Sequence, residues 1–89
     1  MTKEEAIAKA RKDLVNRLGL DDSQVTEHSV SDADFPDMAL GAAAAGEMSG
    51  QMITRGWKIQ LKAGGQSYEY RADKNQLRLF KFKGKNYKI

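Results

Sequence analysis

Trp57-Lys58-Ile59-Gln60-Leu61-Lys62-Ala63-Gly64-Gly65-Gln66-Ser67-Tyr68-Glu69-Tyr70-Arg71-Ala72 is the stretch that decides the fold. Trp57, Ile59 and Leu61 alternate with Lys58, Gln60 and Lys62; Tyr68, Tyr70 and Ala72 alternate with Ser67, Glu69 and Arg71. A period of two places one set on a buried face and the other in water, the signature of half-buried strands. Gly64-Gly65 between them is a hairpin signal, because tight hairpin turns require positive φ.

Working outward toward the C-terminus, Asp73-Lys74-Asn75-Gln76 makes the next turn and residues 77–83 form another strand. Gly84 then turns the chain into Tyr87-Lys88-Ile89, a short tail with room for a final pairing. Leu77 and Leu79 share a face, whereas Phe80 and Phe82 point the other way in a regular strand. Two outcomes follow: a bulge after Leu79 returns both rings to the core, or both lie on an outer surface among Arg78, Lys81, Lys83 and Lys85. Burial is favoured, since aromatic side chains usually pack in cores.

Upstream, the spacing predicts strands over about 51–63 and 24–35. Within 24–35, Val25, Ala33 and Phe35 share one parity and Val30 has the other, which requires a bulge. Pro36 ends this strand or sits at its edge. The N-terminal segment predicts a helix over about 3–18. Thr2 and Glu5 have capping-box spacing, and Ile7, Ala10, Leu14 and Leu18 form one stripe flanked by Ala6 and Val15. Glu5 to Lys9 and Asp13 to Arg17 are spaced for i,i+4 ion pairs. Gly19 supplies the C-terminal stop. Residues 37–50, rich in alanine and glycine, read as a long ordered loop with at most one helical turn.

These elements define one α+β domain over residues 1–89, its N-terminal helix packed on an antiparallel meander of three or four strands. With 89 residues the chain lies just below the usual domain size. Little room remains for a deep catalytic cleft, and a non-enzymatic role is expected. There is no cysteine, which removes disulfides, thiolate metal sites and cysteine nucleophiles. His28 is the single histidine, so a two-histidine metal site is excluded within one chain. No apolar run reaches the ~20 residues of a membrane span. The polar start, Met1-Thr2-Lys3-Glu4-Glu5, lacks a secretory signal. A soluble cytoplasmic protein is expected, with an exported precursor still open for a trimmed chain.

The net charge of +3 divides unevenly: residues 1–54 carry five Lys/Arg and ten Asp/Glu, residues 55–89 ten and two. The basic half invites a polyanion, or it pairs with the acidic half of its own fold. Residues 77–88 interleave rings with cations, the way single-stranded nucleic acid is held by stacking and phosphate contacts. Arg78, Lys81, Lys83 and Lys85 with Phe80 and Phe82 are therefore the nucleic-acid candidates. The bland alternative is an edge strand whose lysines deter aggregation. Asp32, Asp34 and Asp37 are oxygen-rich but lack the glycine and bidentate glutamate of an EF-hand loop, which favours solvated carboxylates over a metal site. No cofactor is implied. Ser29, Ser31 and His28 lack a supporting catalytic shell. Gly41 to Gly46 lacks the Gly-Lys-Ser/Thr ending of a P-loop.

Larger segments carry a resemblance. Ala10-Arg11-Lys12-Asp13-Leu14-Val15-Asn16-Arg17-Leu18-Gly19, Phe35-Pro36-Asp37-Met38-Ala39-Leu40-Gly41, Gly46, and Gln51-Met52-Ile53-Thr54-Arg55-Gly56-Trp57-Lys58-Ile59-Gln60-Leu61 together resemble a group of small uncharacterised bacterial domains. That group reads helix, aromatic-x-Asp-x-Ser-Leu-Gly-Cys-Pro-x-Pro-Gly, a spacer, then Gly-aromatic-x-Ile-x-Leu and a Gly-x-x-Tyr-x-Tyr hairpin. The register holds through Tyr70. Ala42 and Ala43 replace Cys-Pro, Ala45 replaces the second proline, and Ser49 stands where tyrosine is usual. Whatever the group does with that cysteine does not carry over. Residues 56–79 are more loosely similar to PepSY-type domains, which implies binding or inhibition of proteases and an association with the cell envelope.

The resulting expectation is a binding or regulatory module for a protein or peptide partner, acting through the loop with Asp37, Met38, Leu40, Gly41, Gly46 and Met48. Loops on a rigid scaffold commonly carry recognition, and exposed methionines make adaptable apolar contacts. Single-stranded nucleic-acid binding is the alternative.

Overall fold

A computed structural model describes all 89 residues. Helix α1 spans Lys3–Leu18, and after a single 3-10 turn at Asp22–Gln24 the strands follow: β1 Val25–Phe35, β2 Thr54–Ala63, β3 Gln66–Ala72, β4 Leu77–Phe82 and β5 Lys85–Lys88. The five strands lie in sequence order in one sheet, and every neighbouring pair is antiparallel. The meander therefore has five strands rather than three or four. Lys83 and Gly84, with φ of 51° and 82°, form a tight turn of positive φ that folds the tail back as β5. Gly64 and Gly65, both at positive φ, do the same between β2 and β3.

The capping box forms as its spacing predicts. Glu5 N–H donates to Thr2 Oγ1 at 3.2 Å, and Thr2 N–H donates to Glu5 Oε1 at 2.7 Å. These backbone and hydroxyl hydrogen bonds hold the Glu5 carboxyl below its usual range. The Glu5 carboxylate serves the cap rather than an ion pair with Lys9, whereas Asp13 does receive Arg17 Nε at 2.7 Å. Gly19 closes the helix at φ 66°.

Ala6, Ala10 and Leu14 form the buried centre of α1, with Ile7, Val15 and Leu18 at its margins. Small residues at the first two positions let the helix lie close to the sheet. They meet Ile59, Leu61 and Ala63 of β2, Tyr70 and Ala72 of β3, and Leu77 and Leu79 of β4 in one core. Each large side chain fully buried there stabilises the fold by roughly 1.5–3 kcal/mol. Tyr70 is buried through its ring, and its hydroxyl donates to Asp13 Oδ2 at 2.7 Å. Burial, reinforced by that carboxylate, raises the Tyr70 phenol well above its ordinary range.

Two irregularities re-aim side chains. The β1–β2 register shifts between Glu27 and Ser29, leaving His28 as the extra residue of a bulge. The shift inverts parity: Val25 and Val30 pack toward α1, while Phe35 is buried on the opposite face. The second lies in β4, where the register breaks between Leu79 and Phe82 and Lys81 adopts φ 50°. Neither outcome expected for the two phenylalanines occurs intact. Phe82 turns toward α1, with its centroid 6.0 Å from that of Tyr68 and 6.2 Å from that of Tyr87. Phe80 stays on the far face, opposite Glu69, with the Arg71 guanidinium 3.6 Å from its ring.

Candidate functional site

No second helix covers the far face of the sheet; the segment between β1 and β2 does. Residues 36–50 lie across it as a strap, with Ala39, Leu40 and Ala42 buried beneath together with Phe35. Asp37 begins the strap. Its Oδ1 accepts the N–H groups of Ala39 and Gly41, both at 2.9 Å, a local cap that organises a tight turn. Leu40 sits there at φ 60° and Gly41 at φ 65°. A side chain on Gly41 would meet Arg71 Nη1 at 2.7 Å and the Pro36 ring at 3.3 Å, so glycine is required on both counts.

Side chains from the sheet fasten the strap mainly by its carbonyls. Arg71 Nη1 donates to Leu40 O at 3.0 Å while its Nε holds Glu69 at 2.7 Å. Gln76 Nε2 donates to Met38 O at 2.8 Å, and Asn86 Nδ2 donates to Ala43 O at 3.0 Å. Arg78 is 3% exposed and binds Glu47 with both arms of its fork, Nη2 donating to Oε2 at 2.8 Å and Nη1 to Oε1. Arg78 Nε also donates to Gln76 Oε1 at 2.7 Å. Glu47 accepts the Ala44 N–H at 2.9 Å as well. The Arg78 hydrogen bonds, and then the Ala44 amide, hold its carboxyl down at about 2. Gly46, at φ 78°, turns the chain that presents Glu47 to Arg78.

At one end of the sheet the strap borders a groove of about 590 Å³. Met38, Met52, Ile53 and Trp57 supply its apolar wall, and Asp32, Arg55 and Lys74 are among its polar groups. Met38 is 51% exposed, Met52 64% and Ile53 73%, a concentration of wet apolar surface on so small a chain. Asp73, nearly buried, shapes the floor by accepting the N–H groups of Asn75 at 2.7 Å and Gln76 at 3.0 Å.

The expected loop residues thus divide by role. Met38 lines the groove; Met48 is 97% exposed but outside its lining. Asp37, Leu40, Gly41 and Gly46 build the strap, and Leu40 is fully buried, its carbonyl accepting from Arg71 of the sheet. Met52, Ile53 and Trp57 were not among the expected site residues. The signal was present in the pair Met52-Ile53, two apolar residues ahead of the alternating pattern; β2 starts at Thr54 and leaves them outside the sheet.

The nucleic-acid candidates are not brought onto one open face. Arg78 is buried and neutralised by Glu47, and Phe80 and Phe82 face opposite sides. A separate cleft of about 380 Å³ at the other end of the strands does gather Phe80, Lys81, Phe82 and Lys83 with Tyr68, but neither Arg78 nor Lys85. The acidic trio also separates: Asp32 and Asp34 approach Arg55 at 4.0 and 3.4 Å, whereas Asp37 turns inward to cap the strap. No helix is long and apolar enough to cross a membrane.

The fold and its strap define a small α+β domain with one helix on one face of a five-stranded meander and an irregular segment on the other. The chain belongs to the family described as Domain of unknown function (DUF8738), whose model matches residues 7–80. That span runs from α1 through the strap to Phe80. No curated protein and no solved structure matches the chain.

Proposed function

We propose that this domain is a non-enzymatic binding module that takes an apolar side chain of a protein or peptide partner into the groove beside the strap. The observation that carries the reading is the set Met38, Met52 and Ile53, all at least half exposed around the half-buried ring of Trp57. Apolar side chains of this size held in water on a fixed rim gain contact energy when a partner covers them. Methionine suits such a wall, because its flexible thioether adapts to differently shaped anchors. Arg55, Asp32 and Lys74 around the apolar centre would orient the partner and set its approach. A PepSY-like association with proteases belongs to the same reading, resting on the shared order of helix before meander.

The test places a photo-crosslinking side chain at Met52, and separately at Lys12 on α1, in cells producing the domain. A discrete adduct from position 52 that disappears on Ile53→Asp supports the groove. Equal adducts from both positions, or one indifferent to Ile53→Asp, refute it. Single-stranded nucleic acid is the second reading, favoured by the cleft of Phe80, Lys81, Phe82 and Lys83. Its binding would fall steeply with salt as counterions are released, whereas groove binding would persist.

A further inference from the structure

The sheet has two open edges, and they are unlike. β5 is four residues long, carries Lys85 and Lys88, and adjoins the bulge at Lys81, the usual defences of an edge against further pairing. β1 is 11 residues long and pairs with β2 alone. No lysine, arginine or proline lies within it. No other segment bonds to its backbone. Beyond the bulge at His28, residues 29–35 run in unbroken register with β2, leaving an outer row of backbone donors and acceptors free. The side chains along this edge include Glu27, Asp32 and Asp34, all exposed. The sole cation paired with them is Arg55, itself 73% exposed and shared between Asp32 and Asp34.

We infer that β1 is an acceptor edge for an extended peptide bearing lysine or arginine, which joins the sheet as a sixth strand. Main-chain hydrogen bonds would supply the attachment and alternate side chains the selectivity, as in other strand additions. An added strand lies about 4.8 Å from β1 and about twice that from β2. Its closest charged neighbours are therefore the three β1 carboxylates, offset by the single guanidinium of Arg55 that reaches Asp32 and Asp34; Lys58 and Lys62 stand a full strand further off, near the screening length at physiological salt. The same carboxylates disfavour pairing of β1 with β1 of a second copy, since like charges would then face each other. The edge is thus open to a cationic strand and guarded against itself. The free backbone edge and the carboxylates of Glu27 and Asp34, which lie outside the groove's lining, carry this inference; Asp32 and Arg55 are common to both sites.

The test titrates the ¹⁵N-labelled domain with a capped seven-residue peptide of alternating lysine and threonine and follows amide shifts and hydrogen exchange. The expected result is slowed exchange confined to residues within 25–35, weakening as salt rises. A peptide with glutamate in place of lysine should leave these amides unchanged. A third peptide keeps the sequence but is N-methylated at every backbone nitrogen; it has the same charge but lacks N–H donors toward either edge, and should bind at least about tenfold more weakly. Glu27→Lys combined with Asp34→Lys should cost a similar factor. Both sites are exposed, so the variant's unchanged far-ultraviolet spectrum serves as the folding control. Equal binding of the N-methylated peptide would reduce the interaction to diffuse charge attraction and overturn the inference, as would protection elsewhere or none. Slowed exchange in β1 that grows with protein concentration alone would also overturn it, by showing a second copy on the edge. Met38→Asp should leave the titration unchanged, which separates failure here from failure of the groove.

Discussion

Removing the Glu47 carboxylate by Glu47→Ala should weaken the fold more than an ordinary surface change. Arg78 would keep its charge at 3% exposure, with its remaining contacts being Gln76 Oε1 and, at 3.4 Å, the Ala42 carbonyl. Truncating one partner of a fully buried pair costs about 3–5 kcal/mol, because the other charge is left uncompensated. Glu47 itself is partly wet, at 25% side-chain exposure, so water can re-enter beside Arg78 and lower that figure. The range for hydrogen bonds to charged groups, about 1.5–3 kcal/mol, is the better guide. A loss of about 2 kcal/mol in a domain this size lowers Tm by roughly 8–16 °C. Urea unfolding of the wild type, Glu47→Ala, Arg78→Met and the double variant closes a cycle. The double variant should recover much of the loss, since no buried charge then remains unpaired. Loss below about 0.5 kcal/mol for Glu47→Ala, or strict additivity in the double variant, would refute the strap as an energetically coupled layer.

Three further expectations come from separate parts of the molecule. The Glu47 carboxyl, held at about 2 against an ordinary 4.5, gives stability that is complete above about pH 4.5 and fades as pH falls toward 2; Glu47→Ala should flatten that part of a Tm-against-pH curve. Tyr70→Phe should cost about 1–2 kcal/mol by removing the hydroxyl bond to Asp13. In the wild type, stability should decline above about pH 10, where the unfolded phenol ionises and the folded one does not, and Tyr70→Phe should lack that component in alkaline melts. Gly56→Ala should cost at least about 2–3 kcal/mol in urea unfolding, because a Cβ there would fall 2.1 Å from the Ala72 carbonyl oxygen and force two strands apart.

The parts legible in the sequence were those governed by short-range periodicity. Thr2 with Glu5 marked the helix start, Gly19 its end, and the alternation around Ile59 and Tyr70 marked β2 and β3, because each signal depends on residues a few positions apart. The fifth strand was less legible, since Lys85–Lys88 is too short to display a period and owes its place to the turn at Lys83 and Gly84. The bulge in β1 was inferable from the parity of Val25 and Val30, but the side to which it delivers Phe35 was not. That choice depends on Arg71, distant in sequence, whose guanidinium lies 5.4 Å from the centroid of the ring. For the same reason Arg78 read as a free cation: its carboxylate partner is 31 residues away, across a segment without regular structure. The groove was half legible, through Met38, while Met52 and Ile53 were absorbed into a strand predicted three residues too long.

The manner of fastening has a consequence for how the strap tolerates change. Arg71, Gln76, Arg78 and Asn86 reach the carbonyl oxygens of Leu40, Met38, Ala42 and Ala43, which every amino acid possesses. The anchoring bonds themselves are therefore blind to side-chain identity, which is constrained instead by the burial of Ala39, Leu40 and Ala42 and by the path that Asp37, Gly41, Gly46 and Glu47 preserve. Outward positions such as Ala45 and Met48 can diversify without loosening it. The domain thus separates the residues that hold this surface from exposed positions at which substitution leaves the frame unchanged.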